Sequence, residues 1–326
     1  MSRMKWGAKA VAVVAASALA LSACGGGTED PTGTDAGAGT DTATDAPAAE
    51  GGTLTAAAAY TTTNFPPSST SSALAMGSNW HVVEGLWELD LTTYEPFKAL
   101  AATDDLVEVT ETQYEVALRD GAAFSDGTPV TAEDVATSFD RATAEGNIYA
   151  PMLSFITSIE AKDETTVTIN TEFPTALLKQ RLTLIKIVPA SATDEDLTAM
   201  PIGTGPWAYS AITEQSVSFT PNENYNGDFP ATADNMEWQI LVDDTARTTA
   251  MQQGTVSVME SVPADAAALI EGSGAIVEAV QGFNLPFLMF NTKKAPFDDA
   301  KVRQAFFYAI DTQKLIDNAL SGNATP

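Results

Sequence analysis

The stretch "LRDGAAFSDGTPVTAEDVATSFDRA", Leu118–Ala142, carries at its centre three carboxylates within nine residues: Asp126, Glu133 and Asp134. They form either an acid–base pair brought together by a turn, or parts of a turn and of a helix start. Asp126-Gly127 is a typical turn dipeptide, because an Asp side chain bonds to its own backbone and Gly tolerates positive φ. The first carboxylate therefore has a structural use that needs no catalysis.

The residues after this turn have the pattern of a helix start. Thr131 is placed to be the N-cap, and Asp134, three residues later, completes a capping-box-like pair. Glu133 and Asp134 would then lie in the first helical turn, where the helix dipole favours negative charge. Residues at i, i+4 and i+7 would form one apolar face: Val135, Phe139 and Ala142. The pattern predicts a turn and a helix and argues against a catalytic carboxylate pair.

The rest of the chain mixes strand and helix patterns. Tyr114, Val116 and Leu118 alternate with polar or small residues, which is the period of a half-buried strand. Further strands are predicted at 52–60, 166–170, 236–244 and 284–292, and helical segments at 245–253, 263–270 and 298–320. The last helical segment has an apolar face: Val302, Ala305, Phe306, Ala309 and Ile310. Residues 61–72 have the composition of a loop.

The N-terminus has the pattern of a bacterial signal peptide. Arg3, Lys5 and Lys9 precede a run of twelve largely apolar residues, Ala10–Leu21. This run is too short to cross a bilayer, which needs about 20 residues, but it has the length of a signal-peptide core. The following "LSAC", Leu21–Cys24, resembles the lipobox, after which cleavage leaves a lipid-carrying cysteine. Residues 1–23 are therefore predicted to be a lipoprotein signal peptide.

Cys24 is the only cysteine of the chain, so no disulfide can form, and a lone cysteine in a secreted protein usually has a special use. We expect lipidation at Cys24, with an ordinary signal peptide and a chance cysteine as the alternative. Two or three acyl chains would hold the mature protein at the extracellular face of the cytoplasmic membrane. Residues 24–50 contain no Leu, Ile, Val or aromatic residue, and such a segment is predicted to be a flexible linker.

The overall composition limits the class of partner. The chain has 326 residues, of which 44% are hydrophobic, enough for about two domains with a sizeable core. Its formal net charge is −27, and it becomes more negative when the basic signal peptide is removed. This acidity argues against electrostatic binding of nucleic acid or of anionic headgroups.

The chain lacks the residues that most catalytic sites and metal centres require. His81 is the single histidine, and with Cys24 lipidated the common Cys/His nucleophilic sites and metal centres are excluded. We expect His81 to be a surface or partly buried histidine beside Trp80. No Walker or dinucleotide fingerprint is present, and "GTGP" at Gly203–Pro206 is too short to hold phosphates. No catalytic residue, metal or cofactor is therefore predicted, although the 43 acidic residues leave a carboxylate-dependent hydrolase open.

Three stretches together resemble the extracellular solute-binding proteins of peptide/nickel-type ABC transporters, family 5. They are Leu118–Ala142, then "PIGTGPWAYSAITEQSVSFTPNENYNG" (201–227), then "FNTKKAPFDDAKVRQAFFYAID" (290–311). The family commonly has an acidic residue in a "G-x-x-D" element, where this chain has Gly254-Thr255-Val256-Ser257. Family members are usually much longer, and the third motif normally opens the second lobe.

The resemblance implies an α/β, two-lobed periplasmic-binding-protein (type II) fold with an inserted subdomain and an incomplete second lobe. Lobe one would comprise residues 51–79 and 200–282, the inserted subdomain 80–199, and the beginning of lobe two 283–326. It further implies a monomeric receptor that passes peptides or similar small solutes to permease subunits and performs no chemistry. The alternatives are a secreted carboxylate-dependent hydrolase and a truncated, non-functional receptor fragment.

Candidate ligand-binding residues follow from the place of ligands in α/β sheets, beyond the carboxyl ends of the strands. The loop after the first strand should face the cleft and supplies Tyr60, Thr61, Thr62 and Asn64. Trp80 and a crossing strand are further candidates, and this strand supplies Phe283, Asn284 and Leu285. For each aromatic residue the alternative is ordinary core packing.

Overall fold

The computed structural model describes residues 51–326 except Gln281 and Phe283. Its strands are β1 (Thr53–Ala58), β2 (Trp87–Leu89), β3 (Pro96–Lys98), β4 (Val107–Thr110), β5 (Gln113–Ala117), β6 (Ile156–Ala161), β7 (Thr166–Thr171), β8 (Trp207–Ile212), β9 (Ser216–Pro221), β10 (Asn235–Ile240) and β11 (Val258–Met259). Its helices are α1 (Ala73–Val82), α2 (Ala132–Thr143), α3 (Ala150–Leu153), α4 (Leu178–Leu182), α5 (Asp194–Ala199), α6 (Asp244–Gln252), α7 (Ala267–Gly272), α8 (Ala300–Ala309) and α9 (Thr312–Ala319). Within this part of the chain, no helix combines the length and the apolar character that a membrane crossing requires. The predicted signal peptide and linker, Cys24 among them, lie outside the described residues.

A five-stranded mixed sheet has the order β11-β1-β10-β9-β8. β1 pairs in parallel with β10 on one side and with β11 on the other, whereas β10, β9 and β8 pair antiparallel. The chain leaves β10, passes through α6 and returns as β11, which is the helical crossover that parallel strands need. The register sets Thr53 opposite Asn235. The first strand is therefore completed by segments far later in the chain.

Helix α1 lies against this sheet over an aromatic core. The rings of Tyr209 and Phe219 stack at 5.2 Å, and Phe65 meets Tyr209 edge-on at 5.8 Å. The Tyr209 hydroxyl donates to Asn79 Oδ1 at 2.8 Å, and Asn79 Nδ2 donates to the Phe65 carbonyl at 3.0 Å. Burial raises the pKa of Tyr209. The buried amide of α1 is thus satisfied by two core partners, as buried polar groups require.

A four-stranded antiparallel sheet, β4-β5-β7-β6, covers residues 107–171, and β2 and β3 form a separate pair. The predicted alternation in β5 is confirmed, since its apolar positions are buried: Tyr114, Val116 and Leu118. The predicted apolar face of α2 is also confirmed: Val135, Phe139 and Ala142 are buried. Both patterns place the motif at Leu118–Ala142 against this second sheet.

The sequence did not predict α1. Its residues have no single apolar stripe, because the helix buries the polar residues Ser78 and Asn79 as well as Leu74 and Val82. Ser72 caps the helix, accepting the Ala75 N–H at 3.4 Å. The exposed face carries Met76 and Trp80, so the apolar residues of α1 do not show the one-sided periodicity of a surface helix.

The predicted strand at 284–292 is wrong, because the described residues of this segment form no strand. Leu285 and Met289 are 77% and 78% exposed. An extended segment becomes a strand only when a neighbour pairs its backbone groups, and no described strand pairs with this one. Phe283 lies outside the described residues.

The predicted helical segment after it is confirmed as α8 and α9, but its apolar face is not covered. Phe306 and Ile310 are 43% and 41% exposed, and Tyr308 is 83% exposed. The ring of Phe306 packs against those of Phe290 and Phe297, at 5.3 and 5.8 Å. This small aromatic cluster lies outside the main buried clusters.

Candidate functional site

The three parallel strands β1, β10 and β11 end at the same edge of the mixed sheet. The residues that follow them are 59–64, 241–247 and 260–265. We call these three segments the strand-end edge. Ligands of α/β sheets bind beyond strand carboxyl ends, so this edge is the candidate site.

Tyr60 lies at the strand-end edge and contacts the segment after β11. Its side chain is 46% exposed, and its hydroxyl lies 3.2 Å from Ser261 Oγ. One residue earlier, the Ala59 N–H donates to Glu260 Oε1 at 2.9 Å. The structure therefore brings the predicted residue Tyr60 together with Glu260 and Ser261, which the sequence did not single out.

The other predicted residues of this loop are held by a local turn. Thr62 Oγ1 donates to the Asn64 carbonyl at 3.0 Å and accepts the Asn64 N–H at 3.3 Å. Thr61 and Asn64 are exposed and Thr62 is half-buried. Three polar side chains are thus presented at or near the surface after β1. Their role in ligand binding stays a prediction.

Arg247 ties two segments of the edge together. Its Nη1 donates to the carbonyls of Leu241 and Val242 at 2.8 Å each, and its Nη2 donates to the Ser261 carbonyl at 3.1 Å. Nη2 also contacts the Asp244 carboxylate at 2.5 Å. Sequence reasoning missed this arginine, since its partners lie on two different loops. The β–α–β spacing around it was the available signal.

Trp80 does not join the loop of Tyr60 through any ring contact or hydrogen bond found among the described residues. It is 38% exposed on α1, and its ring meets that of His81 edge-on at 5.4 Å. His81 also faces Trp238 at 5.6 Å, and burial lowers the pKa of His81 to about 4. Of the two positions predicted for His81 beside Trp80, surface or partly buried, the structure shows the partly buried one. Asn284 and Leu285 are exposed in an unpaired segment.

Two of the three motif carboxylates, Asp126 and Asp134, have the structural contacts that the sequence predicts. Asp126 Oδ1 accepts the Thr128 N–H at 2.9 Å and its hydroxyl at 2.5 Å, and these bonds lower the pKa of Asp126. Asp134 Oδ2 accepts from the N–H and the hydroxyl of Thr131, both at 2.8 Å. Glu133 is exposed in the first turn of α2.

The first two motifs contact each other and the end of α1. The Ser125 N–H donates to the Gly203 carbonyl at 2.8 Å, and the side chain of Asn224 donates to the Ser125 carbonyl at 3.2 Å. A Cβ on Gly203 would lie 2.2 Å from the Val82 carbonyl oxygen, and one on Gly205 2.4 Å from that of His81. The "GTGP" glycines therefore permit a close approach of backbones.

A buried ion pair strengthens this junction. Arg119 binds Glu84 through two bonds of 3.2 and 3.0 Å, and its Nε donates to Asn226 Oδ1 at 2.8 Å. Burial raises the pKa of Glu84, although Arg119 acts in the opposite direction. The pair belongs to the architecture that joins the two sheets, away from the strand-end edge.

Two surface concavities lie elsewhere. One of about 670 Å³ is lined mainly by α2, α3 and the start of β6, and one of about 520 Å³ by residues around β4, β5 and Pro174. Neither is lined by residues of the strand-end edge. In the described part of the chain, no group of three or more His, Cys, Asp or Glu side chains is arranged to hold a metal ion.

Comparison with known proteins agrees with these features. The model of the bacterial extracellular solute-binding proteins, family 5 Middle, matches residues 95–326. The glutathione-binding protein GsiB of Pectobacterium atrosepticum is 30% identical over 224 residues, which are 65% of this chain and 43% of that protein. The chain spans about two fifths of the length of such curated relatives.

Solved structures show the same likeness. The oligopeptide-binding protein AppA of Bacillus subtilis, in complex with a nonapeptide, has a TM-score of 0.71 at 20% identity and covers 84% of this chain and 56% of its own. MoaA of A. tumefaciens R10, in complex with mannopinic acid, has a TM-score of 0.74 at 21% identity, over 83% and 57% of the two chains.

Proposed function

The chain belongs to family 5 of the bacterial extracellular solute-binding proteins, and from this membership we propose that it is a receptor that passes a small solute to an ABC importer. The family predicted from the sequence is confirmed by the family match. The predicted α/β, type II periplasmic-binding-protein fold is confirmed by the structural neighbours. The domain boundaries remain a prediction: lobe one at 51–79 and 200–282, the insertion at 80–199, and the beginning of lobe two at 283–326.

The observation that carries the proposal is the strand-end edge. Three parallel strands present polar side chains there, with Tyr60 and Ser261 in hydroxyl contact. This edge would form one wall of a ligand cleft, and the face of lobe two would form the other. Such sites enclose about 70–90% of a small ligand, so both walls are needed. Tyr60, Thr61, Thr62 and Asn64 are proposed to contact the solute, with Trp80, Asn284 and Leu285 as further candidates.

The charges at the edge favour one class of solute. The three segments contain four acidic residues, Asp243, Asp244, Glu260 and Asp265, and one basic residue, Arg247. Arg247 is buried and bonded to Asp244, so this pair offers no net charge to a ligand and three acidic residues remain. We therefore propose a solute with a free amine, such as a short peptide. The names of relatives that bind glutathione and oligopeptides support the same class.

Calorimetric titration of the full chain tests this function. The probes are Ala-Ala-Ala and N-acetyl-Ala-Ala-Ala, which differ only in the amine. We expect the free peptide to bind at least tenfold more tightly than the acetylated one, and Tyr60→Ala to weaken binding while Tyr94→Ala does not. Tighter binding of the acetylated peptide would contradict the amine proposal. No binding of any peptide would instead favour a non-functional receptor fragment.

We also propose that the receptor works without chemistry. Asp126 and Asp134 of the first motif are engaged in a turn and a helix cap, which supports a structural use of these two carboxylates rather than hydrolysis. Incubating the purified chain with peptides and glycans should yield no hydrolysis products by mass spectrometry. Turnover that copurifies with the chain through successive columns would restore the hydrolase.

The location proposed for the receptor is the extracellular face of the cytoplasmic membrane, with a lipid on Cys24 as the anchor. The predicted lipobox and the single cysteine support it. We expect wild-type protein in the membrane fraction with a diacylglyceryl mass on its N-terminus, and Cys24→Ala released or unprocessed. A wild-type protein found free in the medium without lipid would overturn the anchor. We further propose that the receptor is a monomer and that it delivers its solute to the permease subunits of the importer. It is not proposed to bind nucleic acid.

A further inference from the structure

The strand-end edge holds its shape through one guanidinium. Arg247 is 2% exposed and donates to three carbonyls, two at the end of β10 and that of Ser261 after β11. The Leu241 N–H donates in turn to the Ala58 carbonyl at the end of β1, at 2.9 Å. A planar guanidinium with fixed donor directions suits such a junction better than an ammonium does.

Ser261 has a backbone conformation that needs support. Its φ is +53°, in the left-handed region that disfavours residues with a side chain. The carbonyl of the same residue accepts from Arg247 at 3.1 Å, and its Oγ lies 3.2 Å from the Tyr60 hydroxyl. Strained residues persist only where their surroundings hold them, and they concentrate at functional sites. The guanidinium thus contacts the carbonyl, and the Tyr60 hydroxyl the side chain, of one strained residue.

The contacts of Arg247 do not all stabilise the fold, so stability alone does not explain why an arginine is buried here. Its Nε is buried and has no hydrogen-bond partner within the described part of the chain, and a buried donor without a partner costs free energy. Its partner Asp244 is 69% exposed in its side chain, so water screens that ion pair. Nη1 and Nη2 therefore have acceptors, whereas Nε has none among the described residues.

We propose, resting on the proposed function, that Arg247 is a positioning residue for ligand binding. It holds Ser261 in the left-handed conformation, and Ser261 with Glu260 fixes where Tyr60 presents its hydroxyl to the solute. Arg247 itself touches no ligand. Arg247 affects the affinity for the ligand only indirectly, by fixing the position of Tyr60.

A fluorine label at Tyr60 tests the structural part without any ligand. 3-Fluorotyrosine is placed at position 60 in the full chain, and in a second sample at Tyr94, in the turn between β2 and β3. We expect Arg247→Lys to shift the resonance at position 60 and to leave that at position 94 unchanged. Equal shifts at both positions, or none at position 60, would refute the positioning role.

Arg141 provides the matched control. It also donates to three backbone carbonyls, of Pro189, Ala190 and Ala192, but it lies on α2. Arg141→Lys should lower the melting temperature without moving the resonance at position 60. If both lysine variants move it, the effect is a general loss of stability and the proposal is wrong.

Ser261→Gly tests the last link even if Arg247→Lys does not fold. Glycine adopts positive φ without strain, so the backbone path is kept while the hydroxyl contact to Tyr60 is lost. We expect the resonance at position 60 to shift with an unchanged melting temperature. An unmoved resonance would show that Ser261 does not position Tyr60.

Affinity for Ala-Ala-Ala then tests the functional part. We expect Arg247→Lys and Tyr60→Phe each to weaken binding about tenfold, and the double variant to be no weaker than either single variant, because residues that act through one contact are not additive. Additive losses would overturn the claim that Arg247 acts through Tyr60. A wild-type chain that does not bind the peptide would refute the proposed function, and with it the effect on binding. The fluorine shifts would still decide whether Arg247 positions Tyr60.

Discussion

The neutral imidazole of His81 is held among aromatic rings, and burial lowers its pKa from 6.5 to about 4. In the unfolded chain the imidazole binds a proton at higher pH than in the folded chain. The contribution of His81 to stability is therefore complete above pH 6.5 and is lost as the pH falls towards 4. Because this is the only histidine, the window between pH 5 and 6.5 is nearly free of other ordinary titrations.

We expect the free energy of unfolding of the wild type to fall relative to that of His81→Phe by up to about 3 kcal/mol between pH 7 and 4. Phenylalanine keeps an aromatic ring at this position and removes the titration. Urea unfolding of both proteins at several pH values measures the difference. A constant difference across the window would show that burial does not control this histidine.

At the scale of elements, the start of α2 depends on one of two adjacent carboxylates. Asp134 is buried and accepts from the Thr131 N–H and hydroxyl and, through Oδ1, from the Ala190 N–H at 2.7 Å. Glu133 is exposed. The bond to Ala190 reaches beyond the helix, so this carboxylate joins α2 to a distant segment as well as capping it.

We expect Asp134→Ala to lower the free energy of unfolding by roughly 2–4 kcal/mol, because it leaves buried N–H groups without acceptors. Glu133→Ala should change it by less than about 0.5 kcal/mol. Thr131→Ala, which removes one hydroxyl of the cap, should cost about 0.5–2 kcal/mol. Chemical denaturation measures all three. Equal losses at Asp134 and Glu133 would refute this division of roles.

The contact between α1 and the second motif leaves no room for a side chain. A Cβ on Gly203 would lie 2.2 Å from the Val82 carbonyl oxygen and 2.8 Å from the Val83 Cα. We expect Gly203→Ala to destabilise the protein by about 1–3 kcal/mol or more, as overpacking does. Gly272→Ala, in α7 with open space around its Cβ, should stabilise it slightly. Thermal unfolding compares them, and a neutral Gly203→Ala would show that the backbones can separate.

At the scale of the whole molecule, the two sheets are tied together while the C-terminal helices are not. Ser125 bonds to Gly203 and Asn224, and Arg119 bonds to Asn226, so residues next to β5 and α2 are joined to the segments that flank β8 and β9 of the mixed sheet. Helix α8 buries none of its residues, and α9 buries only Ile316. Exposed apolar area forgoes about 25 cal/mol per Å², so these helices receive little stabilisation from tertiary packing.

We expect amides of α8 and α9 to exchange hydrogen at least about tenfold faster than those of β1 and β10, because local opening free energies follow local packing. Hydrogen exchange with mass spectrometry on the full chain measures this difference, with peptides of β5 and β7 as the protected reference. Exchange in α8 as slow as in β10 would mean that the chain packs its C-terminal helices by itself.

The sequence determined the features that are complete within a few neighbouring residues. The Asp126-Gly127 turn, the Thr131 and Asp134 pair, the alternation in β5 and the apolar face of α2 each follow from local backbone preferences. The order of three motifs was enough to predict the family and its fold. The strand predicted at 52–60 was likewise found as β1.

Only the tertiary structure decided which distant segments meet. Thr53 pairs with Asn235, and Ser261 reaches Tyr60, because parallel strands need a crossover before they can pair. Arg247 and α1 escaped prediction for this reason: their burial depends on loops and strands far along the chain. For residues 284–292 the error was the reverse: a strand was predicted that the structure does not form. Its apolar residues suit a strand, but a strand forms only against a neighbour, and the described chain provides none.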